Sequence, residues 1–231
     1  MSRRGLFAAG GVSLAISALS AATVTPAAEA SSTSAPPDPP DVDLMQEHGV
    51  LKRVLLIYQE CIRRQSIGQE LPVSAVHDGA EIIHDFIEGF HEALEEGFVF
   101  PKLRSAGKLV GTVDTLLLQH ARGRQLTQLI LAESAAQTAT VNDSAQIVGA
   151  MTAFVRMYQP HEAREDTVVF PTFRSILTSE QLSHLGTNFA DLQREQFGPN
   201  ALNQTVAKVA AIEETLGIYD LSQFTPEPIT Q

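Results

Sequence analysis

The sequence predicts an all-α protein, an up-down-up-down four-helix bundle followed by a C-terminal helical extension. Apolar residues recur at intervals of three and four from residue 41 onward, as in Val50, Val54, Ile57 and Cys61, and this is the period of a helix face. Stretches that alternate with period two, as half-buried strands do, are missing from the sequence. Short polar breaks separate the helical stretches, and short connections place consecutive helices side by side in opposite directions.

Composition limits the function classes. The chain has 231 residues, of which 44% are hydrophobic, so it is long enough to bury a sizeable core. Acidic residues outnumber basic ones by 27 to 16, and the formal net charge is -11, so no basic face is available for nucleic acid. A single cysteine, Cys61, excludes a disulfide framework and a thiolate cluster. Any metal must therefore be held by histidine and carboxylate.

The first thirty residues predict an export signal. Arg3 and Arg4 precede a mildly apolar stretch over residues 6–22, and the Ala-Glu-Ala of residues 28–30 has the form of a cleavage site. The arginine pair resembles the twin-arginine signal. A retained anchor helix is the alternative, but the stretch is short and glycine-rich for a membrane span. We therefore expect a signal peptide over residues 1–30, no permanent membrane span after cleavage, and a location in the periplasm or on the extracellular side of a bacterium.

The remaining chain divides into three parts. A Ser- and Pro-rich linker, typical of a flexible extended segment, occupies residues 31–40. The predicted bundle occupies residues 41–177 and the extension residues 178–231. Breaks rich in Gly, Pro and short polar residues divide the bundle into four helices. They fall at residues 66–72 (SIGQELP), 104–108 (RSAGK) and 138–143 (TATVND).

Two amphipathic helices are predicted in the extension. The first begins with a cap at Ser179, and the second runs from Asn200 to Leu216. We expect them to cover one side of the bundle, with a role in dimer formation as the rival interpretation. The oligomeric state stays open.

A repeat indicates that the bundle consists of two related helical hairpins. The segment HEALEEGFVFP at residues 91–101 returns as HEAREDTVVFP at residues 161–171, an offset of 70 residues. Upstream of them, His48 and His120 are offset by 72 residues. Both repeats place a Glu four residues after the His, on the same helix face. The prolines that close the repeats, Pro101 and Pro171, are expected to end or bend their helices.

A geometric argument places the four histidines at one level of the bundle, because residues of an antiparallel hairpin are level when they lie equally far from the turn. Midpoints between successive histidines all fall inside the predicted breaks: 69.5 for His48 and His91, 105.5 for His91 and His120, and 140.5 for His120 and His161. Glu95 and Glu165 then lie one turn away, about 5.4 Å along the axis. Uncompensated burial of these groups would cost several kcal/mol per charge. A nitrogen and carboxylate ligand set suits iron, manganese or zinc, and hydrogen-bonded structural histidines are the alternative.

The motifs resemble those of the hemerythrin-like, HHE cation-binding proteins. In order, they are a His in helix one, HxxxE followed by Phe-Pro in helix two, a His in helix three, and a second HxxxE with Phe-Pro in helix four. The resemblance covers about residues 41–177 and implies two non-haem iron ions bridged by carboxylates and an oxo group. The terminal ligands it implies are His48, His91, His120 and His161, and the bridging ligands are Glu95 and Glu165.

One departure from the family bears on activity. Oxygen-carrying members have a second histidine four residues after the one in the third helix, where this chain has Arg124. With one ligand fewer, the resemblance implies two open coordination positions. Open positions favour reaction with a small molecule over simple carriage.

Further residues are candidates for supporting roles. His84 lies seven residues before His91, two turns away. This distance favours a role behind the ligands or in a channel to the site over that of a fifth ligand. Glu88 is a candidate ligand or proton relay, or a polar residue satisfied by its neighbours. Tyr158, three residues before His161, is a candidate hydrogen-bond donor or a core residue. Four acidic residues that flank the motifs are expected to face solvent or pair with neighbours: Glu92, Glu96, Glu162 and Asp166.

Three functions are compatible with these observations. The first is an exported non-haem di-iron protein that binds or reduces O2, peroxide or nitric oxide, which would make it a di-iron oxidoreductase. The second is a non-catalytic carrier, sensor or store of oxygen or iron. The third is a structural bundle that binds zinc or nothing.

Overall fold

The computed structural model describes residues 37–136 and 141–229, without the side chains of residues 141 and 142. The predicted signal peptide and most of the predicted linker lie outside this part of the chain. All regular structure of the described residues is helical, as predicted. None of the helices in these two stretches is long and apolar enough to cross a membrane.

Four long helical runs are followed by two shorter helices and a 3-10 turn. Helix α1 is Pro40–Ser66 and helix α3 is Val110–Ser134. Helix α2 runs over residues 73–105 and contains two π-helical segments, Ile83–His91 and Glu95–Val99. Helix α4 runs over residues 141–175 and contains one, Glu165–Val169. The extension comprises α5 (Ser179–Phe197), α6 (Ala201–Leu216) and the 3-10 turn Leu221–Phe224.

The first two predicted breaks are confirmed. Helix α1 ends and α2 begins around residues 67–72, and α2 ends and α3 begins around residues 106–109. Gly68 (φ 77°) and Gly107 (φ 65°) adopt positive φ in these turns, a conformation that glycine adopts without steric cost. The third break lies partly outside the described residues.

The four long helices contact one another in a ring. Helix α1 packs against α2 and α4, and α3 packs against the same two helices. The extension lies on α1, which contacts both α5 and α6, and α6 also contacts α2. Arg53 of α1 bonds Glu213 of α6 at 3.0 Å. The cap of α5 is Thr178, which shares a capping box with Gln181, so the predicted cap at Ser179 was wrong by one residue.

Two hydrophobic clusters fill the interior, and the level of the predicted ligands, here called the polar layer, lies between them on α1, α3 and α4. On α1, Leu44 belongs to one cluster and Val50 to the other. On α4, Phe154 belongs to the second cluster and Phe170 to the first. The predicted ligands of these three helices occupy the intervening turns, so apolar side chains close the layer above and below.

The π-helical segments are tied to the repeated motif. Segments Glu95–Val99 and Glu165–Val169 both begin at the Glu of an HxxxE motif and end two residues before its Pro. In each, the amide of the Phe before the proline donates to the carbonyl of that Glu, five residues back. Pro101 and Pro171 then open a short α-helical segment, where a missing N–H costs little. Neither proline ends its helix, so the expectation that they end their helices was wrong.

A glycine allows α3 and α4 to approach closely beside the polar layer. A Cβ atom at Gly123 of α3 would overlap the Tyr158 hydroxyl and lie 2.8 Å from its Cζ. Tyr158 of α4 is buried, and its hydroxyl donates to Glu92 Oε1 at 2.6 Å. The ring therefore fills the space that a larger residue at position 123 would occupy.

We predict that Gly123→Ala destabilises the protein by about 1–3 kcal/mol, because the ring must shift and lose its bond to Glu92. Gly149→Ala is the matched control, since a Cβ there meets nothing within 4 Å and alanine favours the helix by up to about 1 kcal/mol. Urea unfolding of both variants measures the difference. Equal stability of the two variants would contradict the close approach.

Candidate metal centre

The four long helices bring the six predicted ligands together in the interior. Helices α1 and α3 each contribute a histidine, and α2 and α4 each contribute a histidine with the glutamate four residues later. All six residues are buried, with at most 4% of the surface of any of them exposed. They are His48, His91, Glu95, His120, His161 and Glu165.

The six side chains form two adjacent groups, each able to hold a metal ion. One group is His48, His91 and Glu95, and the other is His120, His161 and Glu165; within each group the ligand atoms lie within 4.8 Å of one another. The imidazole centroids are 4.6 Å apart in the first pair and 5.1 Å apart in the second.

Each glutamate lies between histidines of different groups. Glu165 Oε2 is 3.0 Å from His161 Nε2 and 3.4 Å from His48 Nε2. Glu95 Oε1 is 3.6 Å from His91 Nε2, and its Oε2 is 3.5 Å from His120 Nε2. Two carboxylates placed in this way are suited to bridge two metal ions.

The atoms that face this space have no hydrogen-bond partner among the described residues. They are Nε2 of His91, Nε2 of His120 and all four carboxylate oxygens of Glu95 and Glu165. Leaving a buried donor or acceptor unpaired costs about 1–3 kcal/mol per group, and more for a charge. Metal ions would satisfy all of these atoms together, so the residues present fit a pair of cations.

The pKa shifts within the cluster reflect the close approach of its charged groups. Burial and the neighbouring carboxylate of Glu165 raise the pKa of Glu95 well above its ordinary value. Burial opposes ionisation of Glu165 too, but His161 and His48 lower its pKa overall. Against its burial, the hydrogen bond with Asp166 and the nearby carboxylate of Glu165 raise the pKa of His48 to about 9. The raised pKa values of Glu95 and His48 favour the protonated forms of these two side chains. Metal binding would displace such protons.

Every histidine of the cluster has a hydrogen-bond partner on its other ring nitrogen. His48 Nδ1 is 2.7 Å from Asp166, and His120 Nδ1 is 2.9 Å from Glu96. In these two pairs the partner is the residue directly after the glutamate of the HxxxE motif in the other hairpin. Such a partner fixes the ring orientation and leaves Nε2 for a metal.

The other two histidines are partnered within their own hairpin. His91 Nδ1 is 3.0 Å from Glu47, the residue before His48. His161 Nδ1 is 2.8 Å from Gln119, the residue before His120. The four outer partners therefore repeat with the same two-fold pattern as the ligands, and we refer to Glu47, Glu96, Gln119 and Asp166 as the outer ring.

Two basic side chains near the surface each pair with one carboxylate of the outer ring. Lys52, four residues after His48, lies 3.0 Å from Asp166. Arg124, four residues after His120, lies 2.7 Å from Glu96 and 2.8 Å from Glu92. Arg124 therefore stands where oxygen carriers of the resembled family have a histidine, and it pairs with carboxylates that flank the site.

Two phenylalanines of the repeated motif pack on the histidines. Phe170 stacks on His48 with centroids 5.4 Å apart, and Phe100 lies 5.6 Å from His120. Each is the Phe of a Phe-Pro pair and covers a histidine of the other hairpin. The sequence motif thus includes an apolar cover for the ligand rings.

Three of the flanking acidic residues pair with neighbours, as expected, whereas Glu162 does not face solvent. Glu92 and Glu162 are buried, and Glu92 accepts the hydrogen bond of Tyr158. Glu96 and Asp166 are half-buried and pair with neighbours. The offsets of 70 and 72 residues were the signal for the outer ring, because they also relate Glu96 to Asp166 and position 47 to position 119.

The side chain of His84 faces solvent, so the structure does not support its expected role behind a ligand or in a channel to the site. Its side chain is 54% exposed and bonds Asp85. The reason is the π-helical segment Ile83–His91. Because a π-helix has more residues per turn than an α-helix, a spacing of seven no longer places His84 on the face of His91.

Glu88 and Tyr158 are buried near the centre and bond other residues. Glu88 accepts a hydrogen bond from Thr127 Oγ1 at 2.6 Å. The Tyr158 ring is 5.1 Å from that of His161, while its hydroxyl bonds Glu92. Both belong to a polar region beside the six ligands.

An all-helical fold that encloses two adjacent groups of His and Glu ligands defines a metal-binding helical protein. The family model described as hemerythrin HHE cation binding domain matches residues 40–173, and the chain belongs to this family. Uncharacterized proteins of Mycobacterium bovis and of two strains of Mycobacterium tuberculosis are each 48% identical to it over 185 residues, which cover 80% of this chain and 72% of the relative. No solved structure matches the chain.

We predict that the metal-free Glu88→Gln variant becomes more stable than the metal-free wild type as the pH rises. Burial raises the pKa of Glu88 to about 7, from an ordinary value of 4.5. A raised carboxyl pKa means that the folded state holds the proton more tightly, so stability falls as the pH rises between those values. Gln keeps an acceptor for Thr127 but does not ionise. The variant should gain about 2 kcal/mol over the wild type between about pH 5 and pH 8 in urea unfolding.

The matched control is Asp78→Asn, which changes an exposed carboxylate on the same helix. This control should change the free energy of unfolding by the same amount at about pH 5 and at about pH 8. A Glu88→Gln curve parallel to that of the wild type would show that Glu88 does not ionise in this range.

Proposed function

We propose that the protein is an exported non-haem di-iron protein that binds or reduces O2, peroxide or nitric oxide. The observation that carries the proposal is the position of Glu95 and Glu165, each between histidines of both groups and without a hydrogen-bond partner among the described residues. Membership of the HHE cation-binding family supports metal binding at this cluster. The proposal includes an up-down-up-down order of α1 to α4, supported by their short connections and ring of contacts.

Iron is the metal that best suits the proposed reaction. The ligand set is nitrogen and carboxylate without sulfur, which iron, manganese and zinc all accept. Zinc has no redox chemistry, whereas a pair of iron ions would supply electrons to a bound small molecule. One histidine fewer than in the oxygen carriers favours reaction over carriage, because it leaves a further position for that molecule.

The protein's own residues would hold, orient and shield the metal pair. The outer ring fixes the imidazole planes through Nδ1. Phe100 and Phe170 cover two of the histidines and exclude water from their outer faces. Glu92 is held by Tyr158 and Arg124, so its charge stays compensated beside the site. Glu88, with its pKa raised by burial to about 7, is suited to hold or release a proton near neutral pH.

We predict about two iron ions per chain in protein purified from the exported fraction, and loss of most of this iron in the His91→Ala, His161→Ala double variant. Together, the two substitutions remove one ligand from each group. Elemental analysis for iron and zinc measures the effect, and His84→Ala is the control because this exposed histidine of α2 lies outside the cluster.

Three outcomes are informative. Iron lost only from the double variant supports the di-iron site, and peroxide and nitric oxide assays then separate a reductase from a carrier. Zinc alone in the wild type contradicts the redox function. Metal content that the double variant does not change contradicts the site itself.

Export through the twin-arginine route is part of the proposal and rests on the N-terminal pattern. We predict that Arg3→Lys with Arg4→Lys retains the protein inside the cell, as measured by fractionation. Arg122→Lys with Arg156→Lys, two exposed positions of the folded part, controls for a change in stability. Unchanged export of the first variant would rule out this route.

A further inference from the structure

The outer ring breaks its two-fold pattern at one place. Glu47 and Gln119 occupy equivalent positions, each one residue before a ligand histidine and each bonded to the histidine of the next helix. The other two members of the ring are both carboxylates. The cations Lys52 and Arg124 are also equivalent, so they do not distinguish the two sides. The one difference in charge within the ring is therefore a carboxylate at position 47 and an amide at position 119.

The difference matters because each partner acts on a ligand. A carboxylate that accepts the Nδ1 hydrogen bond increases the electron density that Nε2 offers a metal, whereas a neutral amide only orients the ring. We propose that the two metal positions are unequal: the position between His48 and His91 binds a divalent cation more tightly than the position between His120 and His161. This inference rests on the proposed function, in which the six ligands hold two ions.

The surroundings of the two partners increase the difference. Glu47 is buried, and Gln193 of α5 donates to its other carboxylate oxygen at 3.0 Å. The C-terminal extension thus holds the charge of Glu47 in place behind His91. Gln119 is half-buried and lines an open groove of about 350 Å³ together with His161 and Arg164. Glu47 lines only a smaller groove of about 140 Å³, so water screens the outer side of the second position more than that of the first.

A titration of the full, metal-free chain with Co²⁺ alone, under anaerobic conditions, tests the inference. We expect two binding steps, the first with a Kd at least about tenfold lower than the second. Gln119→Glu should lower the second Kd by about 10–100-fold and bring the steps together. Glu47→Gln should raise the first Kd by about the same factor and leave the second in place.

Controls separate this effect from a general change in charge or folding. Gln125→Glu adds the same charge to an exposed position of α3 and should leave both Kd values within about twofold. Circular dichroism checks that the near-isosteric variants keep their helices. Two equal steps in the wild type, or an unchanged second Kd in Gln119→Glu, would overturn the inference while leaving the metal pair intact. A wild-type chain that does not bind two Co²⁺ ions would instead reject the proposed function.

Discussion

The structure depends on compensating six ionisable side chains that the four long helices bury at one level. Two carboxylates and four imidazoles lie between apolar clusters, where an unpaired charge costs several kcal/mol. Their inner atoms face one another without hydrogen bonds among the described residues. Cations within this layer would compensate the buried groups. The residues around the layer hold the side chains in position for such cations.

The outer ring shows how that is done. Each imidazole is fixed by a hydrogen bond on Nδ1, and two of the partners are themselves held by Lys52 and Arg124 at the surface. Arg124 has a clear structural role in this arrangement. It holds Glu96, the carboxylate that bonds His120 through Nδ1.

The C-terminal extension is connected to the same network. Helix α6 is bonded to α1 through Arg53 and Glu213, and Gln193 of α5 reaches Glu47. The extension therefore lies against the first hairpin, in which the buried carboxylate of Glu47 is the partner of His91. It covers the α1 side of the four long helices. This position gives it a physical link to the metal centre as well as to the fold.

The sequence by itself determined the helical class, the first two breaks and the six residues of the polar layer. Those conclusions rest on periodicity and on the repeat, which depend only on local helix geometry. Glu95 and Glu165 could be placed beside the histidines because a spacing of four keeps two residues on one α-helical face. The same rule failed for His84, because a π-helical segment intervenes and tertiary packing decides where such a segment forms.

Only the tertiary structure decided which residues surround the ligands. The bonds of Asp166 to His48 and of Glu96 to His120 join residues 118 and 24 positions apart, and no local pattern fixes such a pairing. Buried Glu92 accepts a hydrogen bond from Tyr158, whose ring packs against Gly123 of another helix. The contact of Gln193 with Glu47 spans 146 residues. Sequence periodicity states which face of a helix is inward, but the neighbours on that face depend on how the helices pack.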